Sequence, residues 1–269
     1  MARTDTAANA APGAIYQTGG KAYVIAFDMH THTRYSHGKG SIEDNVRAAR
    51  AIGIERIGIS DHGPAHVAFG VGRKRLHDMR EEIDRLKKAY PDMDIQLGIE
   101  ANITNSGGAL DIDPDDLGLL DYVLAGYHYG AIGKNPLASL SRSIANFMAP
   151  QDRGSSGLAA KNTADVAMAL RNNNIYALTH PGDKSPVNLG ELAAVCAETR
   201  TLLELNTSHR SLSARDIMEM AAYGADFIIG SDAHTPQRVG DFRSAVDLVI
   251  EAGLDPARVV NLKIIEQGE

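Results

Sequence analysis

The sequence predicts an α/β protein of one domain, in which seven parallel strands close into a barrel of the TIM type. Short apolar runs alternate with helical patterns seven times without a break, which is typical of a parallel α/β architecture. Each run is almost continuously apolar, as expected of strands buried on both faces. An open doubly wound sheet is the alternative, but no glycine-rich turn follows the first strand, so we favour the barrel.

The apolar runs define seven predicted strands in chain order. These are Tyr23–Asp28, Arg56–Ser60, Ile95–Glu100, Tyr122–Tyr127, Ile175–Thr179, Leu202–Asn206 and Phe227–Ser231. Helices between them are indicated by apolar residues at helical spacing, such as Ile42, Val46 and Ala49. Ser41 and Ser213 are each followed three residues later by an aspartate, which predicts two helix N-termini.

Two segments depart from this regular pattern. Residues 1–20 are rich in alanine, threonine and glycine and contain no apolar signal-peptide core, so we expect a flexible arm before a barrel domain over 21–269. Gly130–Gly157 is a long irregular stretch, for which we expect an extra helix or an excursion. This excursion is either a mobile lid at the active face or an outer decoration, and the sequence leaves both open.

Charge and cysteine content limit the possible partners. The formal net charge of −7 disfavours a broad electrostatic surface for nucleic acid. No stretch is long and apolar enough to span a bilayer, so we expect no membrane association. The single cysteine, Cys196, lies in an alanine-rich helical pattern and is predicted to be an inert buried thiol, which favours a cytoplasmic protein.

Seven of the ten histidines fall at or just after the ends of predicted strands. The carboxyl ends of parallel barrel strands lie on one face, so these side chains should converge there. Residues two apart on a strand point the same way, which pairs His30 with His32 and Asp232 with His234. The full set is His30, His32, His37, His62, Glu100, His128, His180, Asp232 and His234.

Imidazoles and carboxylates in this number predict a metal centre, because burying so many unpaired imidazoles would be costly. Nine ligands are too many for one tetrahedral ion, so we expect two to three divalent transition metal ions with one bridging carboxylate. Zinc is the preferred ion, with iron and manganese as alternatives. Asp28 and Asp61 each lie near a ligand histidine and are predicted to orient an imidazole through its other nitrogen, with direct metal ligation as the alternative.

The remaining three histidines are less informative. We interpret His66 and His77 as loop or solvated histidines outside the centre. His209 follows the sixth predicted strand, and its loop lies at the active face, so a role there and a bystander role stay open.

These motifs resemble those of the PHP (polymerase and histidinol phosphatase) family of metal-dependent phosphoesterases. The matching segments are His30-Thr31-His32 with His37, Ser60-Asp61-His62-Gly63, Gly98–Asn102, His128, His180-Pro181 and Ser231–His234. The resemblance covers roughly residues 23 to 262 and is greatest to the stand-alone YcdX-type phosphoesterases. It implies a distorted (β/α)7 barrel with a trinuclear metal centre.

The resemblance also implies how the ligands divide among three ions. His30, His32, Glu100 and Asp232 would hold the first ion, and Glu100, His128 and His180 the second. His37, His62 and His234 would hold the third. Glu100, Asp232 and His234 are then the expected catalytic residues, acting through a metal-bound hydroxide.

The expected reaction is metal-dependent hydrolysis of a phosphate ester, with a small phosphorylated metabolite, as for a histidinol phosphatase, as the leading substrate. A phosphodiesterase or exonuclease acting on nucleotides or oligonucleotides is the second hypothesis, and a non-catalytic metal-binding regulatory domain is the third. Arg34, Asn206, Ser208 and Arg210 are candidate substrate contacts, because they lie at or near strand ends at the active face. The oligomeric state cannot be read from the sequence.

Overall fold

The computed structural model describes residues 14–18, 21–104, 107–149 and 157–266. The strands in these ranges are β1 (Ala14–Thr18), β2 (Lys21–Ile25), β3 (Phe27–Asp28), β4 (Arg56–Ile59), β5 (Asp94–Asn102), β6 (Tyr122–Gly126), β7 (Ala177–Leu178), β8 (Leu202–Asn206), β9 (Phe227–Gly230) and β10 (Leu262–Glu266). The α-helices are α1 (Ile42–Ala51), α2 (Arg73–Ala89), α3 (Pro136–Met148), α4 (Gly157–Asn172), α5 (Leu189–Thr199), α6 (Ala214–Ala222) and α7 (Arg243–Ala252).

Seven of the strands form one parallel sheet in chain order, from β3 to β9. Strands that follow one another in sequence are also adjacent in the sheet. Helices connect most of these successive strands and cover the outside of the barrel. The first and last strands are joined just beyond their ends, where the His32 amide donates to the Ala233 carbonyl at 2.8 Å and Thr31 bridges Ala233 in parallel. This junction makes the sheet a nearly closed barrel with helices around it, and confirms the predicted fold class.

The first predicted strand, Tyr23–Asp28, is divided in two. Its first part lies in β2, which pairs with β1 and β10 in a separate antiparallel sheet, and only β3 enters the barrel. Between them the Ala26 amide donates to the Asn261 carbonyl, outside both ladders. Residues 14–18 were expected in a flexible arm, but they form β1, because the β2 edge offers a full antiparallel partner. Residues 1–13 and 19–20 lie outside the described residues.

Apolar packing fills both the space around the barrel and its interior. The main cluster joins the outward side chains of the strands, such as Ile57 and Leu203, to the inner faces of the helices. A second cluster inside the barrel centres on Tyr122, whose hydroxyl donates to the Met29 carbonyl. A Cβ at Gly58 would clash with the Tyr122 ring, so glycine leaves the room that this ring needs.

Several local predictions are confirmed. Ser41 and Ser213 form capping boxes at the N-termini of α1 and α6. Cys196 is buried on α5. The irregular stretch after His128 contains the expected extra helix, α3, while residues 150–156 lie outside the described residues. Among the helices that the structure describes, none combines the length and apolar character needed to cross a bilayer.

Candidate metal centre

The barrel brings all nine predicted ligands together at the carboxyl ends of its strands. Ligand-competent atoms form three overlapping groups: His32, His37, His62 and His234; His30, His32 and Glu100; and His62, Glu100 and His128. The last two predicted ligands contact these groups. Asp232 Oδ1 lies 3.1 Å from His32 Nε2, and His180 Nε2 lies 3.0 Å from Glu100 Oε1.

Glu100 lies at the centre of this arrangement and is buried at the end of β5. Its Oε1 lies 3.2 Å from His128 Nε2 and 3.0 Å from His180 Nε2. Its Oε2 faces the other side, at 3.6 Å from His32 Nε2 and 3.0 Å from His62 Nδ1. Each carboxylate oxygen therefore faces a different set of imidazoles.

Two predicted ligands have strained backbones. His180 has φ of 30° and Asp232 has φ of 50°, values that favour glycine. Such conformations cost of order 1–3 kcal/mol each and persist where the surrounding structure holds them, often at functional sites. Among the described residues only Arg200, at the end of α5, shares this property with them outside glycine. The strain turns both side chains towards the pocket, which supports a functional role for the geometry.

The two aspartates expected to orient imidazoles instead hold the loops that carry the ligands. Buried Asp28 accepts hydrogen bonds from the backbone amides of His30, Ser231 and Gly240. Asp61 accepts from the amide and hydroxyl of Thr33 at 2.7 and 2.6 Å, and its Oδ1 is 4.0 Å from His32 Nδ1. Asp28 therefore does not make the expected contact with an imidazole. At Asp61, hydrogen bonds from Thr33 replace that contact.

The carboxylate that does orient an imidazole is Glu204, which the sequence reasoning missed. It lies in β8, the strand that supplies no predicted metal ligand, and is buried. His30 Nδ1 donates to its Oε1 at 2.6 Å, and the His180 amide donates to its Oε2 at 2.9 Å. The signal was a charged residue in the middle of an apolar strand. Arguments from strand ends alone do not reach this position, because Glu204 lies inside the strand.

A second orienting contact fixes the imidazole of His128. Its Nδ1 lies 2.9 Å from Asn102 Oδ1, and the Asn102 amide donates to Asp111 Oδ2 at 2.6 Å. The Nε2 of His128 is thereby turned towards Glu100 and His180. Outer contacts of this kind set which ring nitrogen is free to bind a metal.

The pocket at the centre has a volume of about 200 Å³ and contains side chains that were not predicted as ligands. His66 is a loop histidine, as expected, and belongs to none of the three ligand groups, but it lines the pocket and stacks on His62 with ring centroids 5.3 Å apart. Its loop folds back because its backbone bridges Ala131. His77, by contrast, is exposed on α2, as expected.

His209 also lines the pocket, together with Lys184. His209 Nδ1 lies 3.0 Å from Asp183 Oδ2, which directs Nε2 towards Asp232 Oδ2 at 3.5 Å. The Lys184 ammonium is 2.6 Å from the same Asp183 carboxylate. These residues place the Lys184 ammonium group and the His209 imidazole at the mouth of the pocket.

The four candidate substrate contacts lie in different surroundings. Arg34 is exposed and is not among the residues lining the pocket. The Asn206 amide donates to Glu204 and Asp232, and the Ser208 hydroxyl donates to backbone carbonyls. Arg210 lines a neighbouring cavity of about 280 Å³, which shares His180 and His209 with the centre.

Burial and mutual charge shift the pKa values of these groups in opposite directions. Burial raises the pKa of Glu100, but the imidazoles of His128 and His30 outweigh it and hold the pKa well below its usual range. Burial lowers the pKa of His32 well below its usual range. Burial, with His234 and His62 nearby, lowers the pKa of His37 to about 4. The carboxylates are thus ionised and these two imidazoles neutral, which are the forms that bind metal ions.

The residues fit divalent metal ions by a second criterion. Within the described part of the chain, the buried Nδ1 atoms of His32 and His37 have no hydrogen-bond partner. Buried polar atoms without partners are rare in native proteins and require an explanation such as a missing ion. Histidine and carboxylate donors around one pocket supply that explanation.

The chain is similar to known proteins over most of its length. Residues 28–231 match the family model described as the PHP domain. A probable phosphatase of Aeromonas hydrophila is 31% identical over 245 residues, spanning 87% of this chain and 88% of that protein. The probable phosphatase YcdX of Escherichia fergusonii is 27% identical, spanning 87% of this chain and 89% of that protein.

A solved structure is also similar. It is the histidinol phosphate phosphatase of Lactococcus lactis, complexed with zinc, L-histidinol and phosphate. Its sequence is 17% identical and its TM-score is 0.49, covering 86% of this chain and 94% of that one.

The chain belongs to the PHP domain family. It is therefore an enzyme of the metal-dependent phosphoesterase class, and the resemblance read from the strand-end motifs is confirmed.

Proposed function

We propose that the protein hydrolyses phosphate monoesters of small metabolites at a centre of two to three divalent metal ions, with zinc preferred. The observation that carries this proposal is the convergence of nine ligand-competent side chains around Glu100 at one barrel face. The curated relatives are named as probable phosphatases, which supports the same activity.

We assign the ligands to the ions as the family resemblance implies, and the contacts of Glu100 support this assignment. Glu100 presents one oxygen to His128 and His180 and the other to His32 and His62, which suits a bridging carboxylate. Metal ions held there would supply Lewis acidity towards phosphoryl oxygens and would lower the pKa of a water molecule. With two carboxylates against two to three divalent ions, the centre carries net positive charge and favours a phosphate dianion.

Residues at the pocket mouth would bind the substrate. Lys184 presents an ammonium group beside the centre and can pair with a phosphoryl oxygen. His209 is held by Asp183 with its Nε2 towards the pocket, where it can donate to phosphate or to the leaving oxygen. Arg210 lines the adjoining cavity and is the proposed contact for the rest of the substrate, whereas Arg34 lines neither the pocket nor this cavity.

The size of the pocket favours a small substrate over a nucleic acid. A pocket of about 200 Å³ joined to a cavity of about 280 Å³ suits a phosphorylated small molecule. The net charge of −7 disfavours a polyanionic strand. The phosphodiesterase or exonuclease hypothesis is therefore second, and the cytoplasm is the proposed compartment, in keeping with a single buried thiol.

A substrate screen with metal analysis of the same sample tests the proposal. The protein is loaded with zinc, iron or manganese and assayed on phosphate monoesters, diesters and oligonucleotides. We expect two to three ions per chain, turnover of monoesters, and loss of activity and some stability on chelation, because bound metal stabilises the native state. One ion or fewer in a folded, reconstituted sample, or activity on oligonucleotides alone, would overturn it.

A further inference from the structure

Helix α3, in the excursion after His128, faces the opposite way to an ordinary surface helix. Its buried side chains are polar: Ser139, Arg142 and Asn146. Its large apolar side chains face solvent and are between 51% and 81% exposed. They are Leu137, Leu140, Ile144, Phe147 and Met148, and together they are called the α3 face.

Polar contacts beneath the helix fix this orientation. The Arg142 guanidinium pairs with Asp165 of α4 and donates to Asn162 Oδ1 at 3.0 and 2.7 Å. Asn162 in turn donates to Asn146 Oδ1 at 2.9 Å. Rotating the helix to bury its apolar side would separate the buried ion pair and leave its two charges uncompensated. The α3 face is therefore held outwards.

The α3 face is large enough for a stable interface. Its five side chains expose about 700 Å², close to the roughly 800 Å² per partner of a standard protein–protein interface. No other strand or helix that the structure describes carries more than two exposed large apolar side chains. A contiguous apolar patch of this size on a soluble protein marks an interaction site.

Among the residues that the structure describes, none covers the α3 face. The segments outside the described residues contain no large apolar side chain apart from Met1. Helices that lie in a membrane surface carry lysine or arginine beside their apolar side, whereas the only charged residue of α3 is the buried Arg142. The net charge of −7 would also oppose binding to anionic lipid.

A second copy of the same chain fits the α3 face best. In a two-fold dimer the same patch of both chains forms the interface. A charged patch would repel the identical patch of the other chain, whereas an uncharged patch would not. We propose that the protein dimerises through the α3 face, with two α3 helices packed across a two-fold axis. The Phe147 ring is 6.0 Å from that of Tyr129, which lines the metal pocket, so the interface borders the pocket mouth.

Sedimentation velocity of the full-length, metal-loaded protein tests this proposal across roughly 1 to 100 µM. We expect a species of twice the chain mass for the wild type. The double variant Leu140→Glu, Phe147→Glu should sediment as a monomer, because it places two like charges on each side of the axis. Both positions are exposed in the single chain, so the circular dichroism spectrum should match that of the wild type and show that the variant is folded.

A matched control substitutes an exposed apolar residue elsewhere. Met218→Glu on α6 should leave the dimer intact. A wild-type protein that is monomeric up to 100 µM, or a dimer that persists in the double variant, would overturn the proposal. So would a monomer that co-sediments with phosphatidylcholine vesicles, since the α3 face would then be a lipid-binding surface.

Discussion

The metal centre and α3 both reverse the usual rule of apolar inside and polar outside, but they do so differently. At the centre, buried polar side chains include ring nitrogens without partners among the described residues, as at His32 and His37. Beneath α3, the buried Arg142 is paired with protein groups on α4. Buried ring nitrogens without a hydrogen-bond partner around a pocket indicate that the protein binds a ligand there. A buried ion pair under an exposed apolar face indicates an orientation that the protein maintains.

The largest expected effect comes from the carboxylate at the centre. Glu100→Gln keeps the shape but removes the charge between the imidazoles, so at least one ion should be lost. Activity should fall by about two orders of magnitude or more. Elemental analysis and steady-state kinetics measure both effects. His77→Ala, on the exposed face of α2, is the control and should keep wild-type metal content and activity. Near-normal activity in Glu100→Gln would show that the centre is assigned wrongly.

The next effect tests the contact beneath α3. Arg142→Ala leaves Asp165 without its guanidinium in a largely buried place and should lower the free energy of unfolding by about 3 kcal/mol. Urea unfolding of the metal-loaded protein measures it, and metal content should not change. The matched control is Arg171→Ala, whose partner Glu198 is exposed, and stability should stay within experimental error. Equal stability of Arg142→Ala and wild type would mean that this pair does not hold α3.

A smaller effect separates orientation from ligation at the centre. Glu204→Gln retains one acceptor for His30 Nδ1 but loses the charge, so metal affinity should weaken by about tenfold to a hundredfold. Competition with a chelator during metal titration of the apoprotein measures the affinity directly. At saturating metal most of the activity should return, unlike in Glu100→Gln. Glu198→Gln is the exposed control. An unchanged affinity would show that Glu204 only supports the barrel.

The smallest expected effect concerns the apolar core, where apolar side chains are buried in the usual way. Burial raises the pKa of the Cys196 thiol to about 12, so the thiol stays neutral as pH rises from 7 to 9. Only the thiolate is a good nucleophile, so a disulfide reagent should react with the folded protein very slowly at both pH values. Reaction after denaturation provides the control. A native rate that rose steeply over this pH range would contradict burial of Cys196.

Much of this protein could be predicted from residue types and their spacing. Continuous apolar runs between helical periods predicted the parallel barrel, because strands covered by helices have no polar face. Histidines and carboxylates at strand ends predicted the centre, because parallel strands place those ends on one face. Both arguments depend only on local sequence and on a general property of the fold.

Other features were decided by the tertiary structure, because they depend on contacts between distant segments. Glu204 meets His30 across 174 positions of sequence, and no local pattern in β8 indicates that partner. His66 enters the pocket because its loop pairs with Ala131, and the start of the predicted first strand joins β1 and β10 instead of the barrel. The orientation of α3 is decided in the same way. Its sequence is amphipathic, but only Asp165 and Asn162 on α4 determine that its polar side is buried.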